Sequence, residues 1–391
     1  MTDGSLSDEQ HAVAASFSHE DRWTRVQRIL ERERLDAIVA LGSDYATWLT
    51  NYHRYSAGLS ATVIGPSNEI DVVVSADEAP VVERASTATR VHAYGEPGFG
   101  LELDTEPWLL EAVSEVHLLR RCTRVGVAGL LPDVLAESAG AQVLPVDGHL
   151  DAVMAVKDRD EAERIARSYG LCLQAQAVIA SAVAEGASEL ELFTSGHSTA
   201  QLAAGEPVEY VADVLSGPTS AEVSGPVAVA GRRRPVDGEP VLADILVRAG
   251  GYWGDTCRTH VRGGSEELEG LLEQLQGILN ETVGELRPGV RASAVFSAMA
   301  SRLLDVFADS VPLPHHGGHG LGLVAVASPN LSPRDHTELE AGMILAVEPG
   351  AYFPGRFGMR LENEYLVTPA GGIELNAALT SLSAGANKWN Q

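Results

Sequence analysis

The sequence predicts an α+β protein, and three observations lead to that class. Up to about residue 150, short apolar runs alternate with helical segments, the pattern of a small α/β unit. One long amphipathic segment, 157–186, then divides the chain. Beyond it, apolar runs return on themselves around glycines, as in a largely antiparallel sheet with helices beside it. The expected division is a frayed N-terminus over 1–17, a smaller α/β domain over 18–152 and an α+β domain over 153–391.

The elements follow in order. "WTRVQRILERERL" places Val26, Ile29 and Leu30 on one helical face. "DAIVAL" (36–41), "SATVIG" (60–65), "IDVVVS" (70–75) and "RVGVAG" (124–129) are short apolar runs of buried-strand type, and helices are expected near 76–86, 106–120 and 131–139. In 157–186, Ile165, Tyr169, Cys172 and Leu173 recur at helical spacing. After it, strand runs at 240–263, 342–353 and 358–368 alternate with helices near 189–204, 266–284 and 291–308.

Composition bounds the function. Apolar residues make up 45% of the 391 and charged residues 21%, the balance of an ordinary globular protein. A net charge of −26 repels phosphate backbones and anionic lipid, so neither a nucleic acid nor a membrane is an expected partner. No apolar stretch reaches the roughly 18 residues of a membrane span, and the acidic N-terminus is unlike a secretory signal, so a cytoplasmic location is expected. Cys122, Cys172 and Cys257 are odd in number and far apart, which fits reduced thiols.

Four carboxylates interrupt apolar strand patterns: Asp244 in "PVLADILV", Asp255 in "YWGDTCRT", Glu348 in "ILAVEPG" and Glu362 in "GMRLENEYLV". A buried carboxylate needs a cation or hydrogen-bond donors. The two glycines between Asp244 and Asp255 permit a hairpin that returns one acid beside the other. With a histidine from "HHGGH" (315–319), the acids make an oxygen-rich set with one nitrogen, suited to two divalent ions of the Mn, Co, Zn or Fe kind.

These residues resemble those of the pita-bread metallopeptidases, in the branch of creatinase, aminopeptidase P and prolidase. The matching pieces are "VLADILVRAGGYWGDTCRT", "HHGGHGLGL", "LEAGMILAVEPGAY", "GMRLENEYLV" and "GGIELN", with "DYATWLTNY" in a creatinase-type N-terminal domain. The resemblance implies a pita-bread fold for the second domain and, for the whole, a homodimer acting on a small molecule or short peptide. It also implies that Asp244 and Asp255 bind one metal ion, and that Asp255 and Glu362 bridge to a second completed by His319 and Glu348. His319 is chosen over His315 and His316 because it occupies the "GHG" position. Glu348 would also accept the proton from water.

The sequence departs from that family in two places. The histidine that follows the ligand histidine by seven residues is here Val326. The histidine that precedes the first aspartate falls in "GPVAVAGRRR", and none occurs between His197 and His260. Val326 and residues 227–230 are therefore expected to line an apolar substrate side. His315, His316 and Arg360 are the candidates for the missing catalytic roles, and Tyr252 for substrate contact. The expected function is a metal-dependent hydrolase of a C–N bond in a small amino-acid-derived or Xaa-Pro-like substrate, and not a conventional peptidase. A metal-dependent lyase on the same scaffold and a non-catalytic interaction module are the alternatives.

Overall fold

The computed structural model describes residues 13–17, 20–53, 58–98, 105–129, 141–222 and 230–386. The chain forms two compact units, one over His19–Met154 and the other over Ala155–Gln391 together with Met1–Ser18. No helix among the described residues is long and apolar enough to cross a membrane.

The first unit holds one mixed six-stranded sheet. Its strands are β1 (Ala37–Leu41), β2 (Ala61–Ile64), β3 (Ile70–Ser75), β4 (Arg90–Tyr94), β5 (Arg124–Ala128) and β6 (Gln142–Pro145), in the order β4-β3-β2-β1-β5-β6. The four inner strands are the four apolar runs read from the sequence. The two edge strands are absent from that reading because neither shows the continuous burial of the inner ones: in β4 only Tyr94 is buried, and β6 holds no buried residue. The helix expected near 131–139 lies outside the described residues. The expected fraying of 1–17 is corrected where that stretch is described. Residues 13–16 are helical, and Val13 and Phe17, one turn apart, are buried.

The second unit is built on the helix Arg159–Glu185. A capping box starts it, with Asp158 accepting from the Glu161 N–H and Glu161 reaching back to the Asp158 N–H. Its strands are β7 (Glu209–Ser216), β8 (Pro240–Ala249), β9 (Tyr252–Val261), β10 (Val311–Pro312), β11 (Gly318–Gly320), β12 (Ala327–Asn330), β13 (Ile344–Val347), β14 (Gly350–Phe353), β15 (Phe357–Arg360), β16 (Asn363–Thr368) and β17 (Gly371–Glu374). They form three antiparallel sheets, β7-β8-β9, β10-β14-β15 and β12-β11-β13-β16-β17.

The β8–β9 hairpin turns through Gly250 and Gly251, whose φ angles of 55° and 91° are left-handed and suit glycine. The runs expected as single strands over 342–353 and 358–368 are each two strands in different sheets. The chain leaves the five-stranded sheet after Val347, passes through β14 and β15, and returns at Asn363. The acids Glu348 and Glu362 sit at these two crossings.

Beside the site, β9 lies against the long helix. A Cβ added at Gly254 would stand 2.2 Å from the Tyr169 backbone nitrogen. Backbone cannot rotate away as a side chain can. Gly254→Ala should therefore cost about 1–3 kcal/mol or more in urea denaturation; an unchanged midpoint would show that the helix and strand can separate freely.

Candidate metal centre

The five residues expected as metal ligands converge from all three sheets or their crossings. Asp244 on β8 pairs across the ladder with Cys257, two residues beyond Asp255 on β9, so both aspartates face the same side. His319 on β11 stands opposite Ala346 of β13. Asp255, His319, Glu348 and Glu362 are each at most 5% exposed.

His319 lies at the middle. Its Nε2 is 3.6 Å from Asp255 Oδ2, 3.9 Å from Glu362 Oε1 and 4.0 Å from Glu348 Oε1. Its Nδ1 is 2.9 Å from the Gly320 carbonyl oxygen, a contact that makes Nδ1 the protonated nitrogen and turns the Nε2 lone pair toward the acids. Ligand atoms of Asp255, His319 and Glu362 all lie within 4.8 Å of one another. Asp244 Oδ1, Asp255 Oδ1 and Glu348 Oε1 are buried oxygens with no hydrogen-bond donor. A divalent cation is the partner such a donor set fits.

The electrostatics point the same way. Burial, and then the neighbouring carboxylates, push Asp255 and Glu362 well above the usual carboxylate range. Burial raises Asp244 to about 6, against the opposing charge of Arg360. Glu348 goes the other way. Burial opposes its ionisation, but the His316 contact and the charges of His315 and Arg360 hold it down at about 2.

Arg360, at the end of β15, is the cation the chain itself supplies. It hydrogen-bonds Asp244 Oδ2, donates from Nη1 to the Tyr352 hydroxyl at 3.3 Å, and stands 3.9 Å from Glu348 Oε2. His315 Nε2 meets the same hydroxyl at 2.8 Å, and His316 Nδ1 is 2.8 Å from Glu348 Oε1. The structure thus places His315, His316 and Arg360 around the acids.

Two expected substrate contacts fare differently. Tyr252 is 1% exposed, with its hydroxyl 3.5 Å from Glu161 Oε1 in the core. That corrects its expected substrate role, because a side chain sealed in the core does not meet a ligand. Val326 is 50% exposed in the loop between β11 and β12. Of residues 227–230 only Ala230 is described, bridged to Val214. Arg233 and Arg234 of "GRRRP" are spent on Glu239 and Glu191.

Sequence reasoning missed three supports. Glu364 is buried and accepts the Asp255 N–H at 2.7 Å. Arg258 donates to the Glu362 carbonyl oxygen and to Asn363. Tyr352 joins His315 to Arg360. Glu364 carried the same signal as the others, a carboxylate in an apolar run.

Buried acids with one histidine, assembled across several sheets, define a metal-dependent hydrolytic centre as a class. The profile of metallopeptidase family M24 matches residues 163–369, and the chain belongs to that family. It is 26% identical over 239 residues to the putative dipeptidase YkvY of Bacillus subtilis and 25% identical over 265 residues to the Xaa-Pro dipeptidase of Pyrococcus furiosus. These alignments cover 61% and 66% of this chain but only 65% and 75% of the relatives' lengths. In fold it is similar to the prolidase from Pyrococcus furiosus (TM-score 0.74, 21% identity, 89% of this chain and 98% of that one). It is also similar to dipeptidase PepE from Mycobacterium ulcerans (TM-score 0.73, 23% identity, 95% and 97%). The expected pita-bread fold is thereby met.

The raised carboxyls set a pH dependence. A group whose folded pKa lies above its unfolded value stabilises the fold at low pH and loses that contribution as pH rises through the folded value. Chelator-treated protein should therefore lose thermal stability as pH rises past about 6, where Asp244 ionises, and a divalent cation should restore it. A melting temperature that climbs over that interval in chelator would contradict the arrangement.

Proposed function

We propose that this chain is a divalent-metal-dependent hydrolase that cleaves a C–N bond in a small amino-acid-derived or Xaa-Pro-like substrate, and that it is not a conventional Xaa-Pro peptidase. The observation that carries the reading is the group of buried carboxylate oxygens without donors around His319. Asp255, His319 and Glu362 would hold an ion, with Glu348 and Asp244 as the further ligands. Divalent ions there supply Lewis acidity, which polarises a carbonyl oxygen and makes water more acidic.

The chain's own residues do the rest. Glu348, kept ionised, is the acceptor for a proton from water. His316 lies against it and can take that proton on, because the adjoining carboxylate raises its pKa although burial works against the charge. Tyr352 holds His315 in place, and Arg360 fixes Asp244.

The substrate side supports the departure from peptidases. Val326 offers no proton and no hydrogen bond where the resembling peptidases carry a histidine. A positioned acid or base typically contributes about 10²–10⁴-fold. With Mn²⁺, Co²⁺ or Zn²⁺ supplied, Xaa-Pro dipeptides should release little or no proline. Turnover at about 1–10³ per second would overturn that part of the reading.

The metal part has its own test. Purified protein should carry divalent ions, and Asp255→Ala or Glu362→Ala should each remove at least one equivalent by elemental analysis. Full metal content in both variants would remove the basis for a metallohydrolase.

A further inference from the structure

We propose that Asp213 is a specificity-determining residue of the candidate centre and receives an ammonium group of the substrate, one strand away from Asp244. The inference rests on the hydrolase reading, which places the reacting carbonyl at Asp244 and Asp255. It adds the class of substrate, a molecule with a cationic amine.

The placement comes from strand register. β7 is the edge of the three-stranded sheet, with Asp213 opposite Asp244 and Val211 opposite Leu246. On the next strand, Asp244 stands opposite Cys257 and Leu246 opposite Asp255. Residues directly opposite one another project from the same face, and so do residues two apart along a strand. Val211, Asp213, Asp244 and Asp255 therefore share one face of the sheet. The other face is core, since Ala212, Val214, Ala243 and Ile245 are fully buried.

The shared face opens toward β7. In one row Asp255 is 3% exposed, Leu246 is partly buried and Val211 is 39% exposed. In the next row Cys257 is fully buried, whereas Asp244 and Asp213 are partly buried. A small molecule whose carbonyl reaches the acids extends over Val211 and Asp213. Adjacent strands lie about 4.8 Å apart, so Asp213 is within reach of an amine attached near a carbonyl held at Asp244.

The chemistry of that extension is amphipathic. Val211 and Leu215 flank Asp213 along the face. Apolar walls with a few placed polar groups are what orient a small ligand. Glu209 and Arg248, the charged pair farther along the same face, answer each other at 3.3 Å. Arg360 bonds Asp244 from the end of β15. Two acids directly opposite in a ladder repel each other, and a cation brought by the substrate relieves that repulsion. The net charge of −26 draws cations to the chain as a whole, so Asp213 is what makes the attraction local.

The test uses hydroxamates, which ligate metal ions, built on one carbon chain. L-lysine hydroxamate carries an α-ammonium and a side-chain ammonium, L-norleucine hydroxamate the α-ammonium alone, and hexanohydroxamate neither. Each is titrated by calorimetry into the full-length, Zn²⁺-loaded chain at about pH 6.5, where amines are protonated. In wild type, one step of the series should gain about 10-fold or more in affinity, the size of a hydrogen bond to a charged group. A gain from hexanohydroxamate to norleucine hydroxamate identifies the α-ammonium as the group received. A gain from norleucine to lysine hydroxamate identifies the side-chain ammonium. Asp213→Asn should bring that ratio to about one, and Asp213→Glu should keep most of it. Hexanohydroxamate binding by Asp213→Asn reports that the variant is folded and loaded, and Asp213→Ser replaces it if it is not. No gain at either step in wild type, or the same gain in Asp213→Asn, would overturn the inference and leave the hydrolase reading standing. Loss of a metal equivalent in Asp213→Asn by elemental analysis would make Asp213 a ligand of the ion and overturn it likewise. A wild type that holds no zinc would overturn both.

Discussion

The burial of four carboxylates in one place is the constraint on which the second unit depends. Ionised carboxylates removed from water are costly unless a cation or several donors meet them, and at close range they also repel one another. Arg360 meets one of the four, Asp244, by a direct hydrogen bond. Asp255 and Glu362 have His319 at 3.6 and 3.9 Å and are pushed toward the neutral form. A fold that concentrates acid in this way gains from a bound divalent cation, and the ordering of the neighbouring backbone serves to keep the acids together.

That ordering comes from how the sheets are joined. Glu362 follows β15 and precedes β16, and its N–H donates to the Cys257 carbonyl oxygen of β9 at 2.9 Å. The Glu348 N–H donates to the Gly317 carbonyl oxygen at 3.0 Å, next to β11. Glu364 accepts the Asp255 N–H, tying β16 to β9. Glu362 and Asp255 are thus held through their main chains by elements of another sheet, and Glu348 by the segment that leads into its neighbouring strand. This leaves the carboxylate oxygens free for ligation, as a rigid site requires.

The histidines and Arg360 give the site two sides of different chemistry. Around His319 the donors are carboxylates, and around His316 they are imidazoles with Glu348 alone as acid. Tyr352 and Arg360 brace the second side through a chain of hydrogen bonds. The loop that carries Val326 adds an exposed apolar surface after His319, together with Val324. Basic side chains in contact with an acid are therefore concentrated on the Glu348 side of the centre.

The sequence by itself determined the inner strands of the first unit, most of the described helices and the carboxylates set in apolar runs, because each has a local signature. Period-two or continuous apolar runs, 3.6-residue periodicity and an acid inside an apolar run are all visible in one dimension. It did not determine β4 and β6, whose edge positions leave almost no buried side chains to make a pattern. Nor did it show that 342–353 and 358–368 each divide between two sheets, since residues on either side of a crossing are equally apolar. Tertiary structure alone decided the partners: Arg360 on Asp244, Glu364 under Asp255, and His316 against Glu348. These contacts join residues 32 to 116 positions apart in the chain. Distance and direction between such residues are set by the packing of whole sheets, which no local spacing encodes.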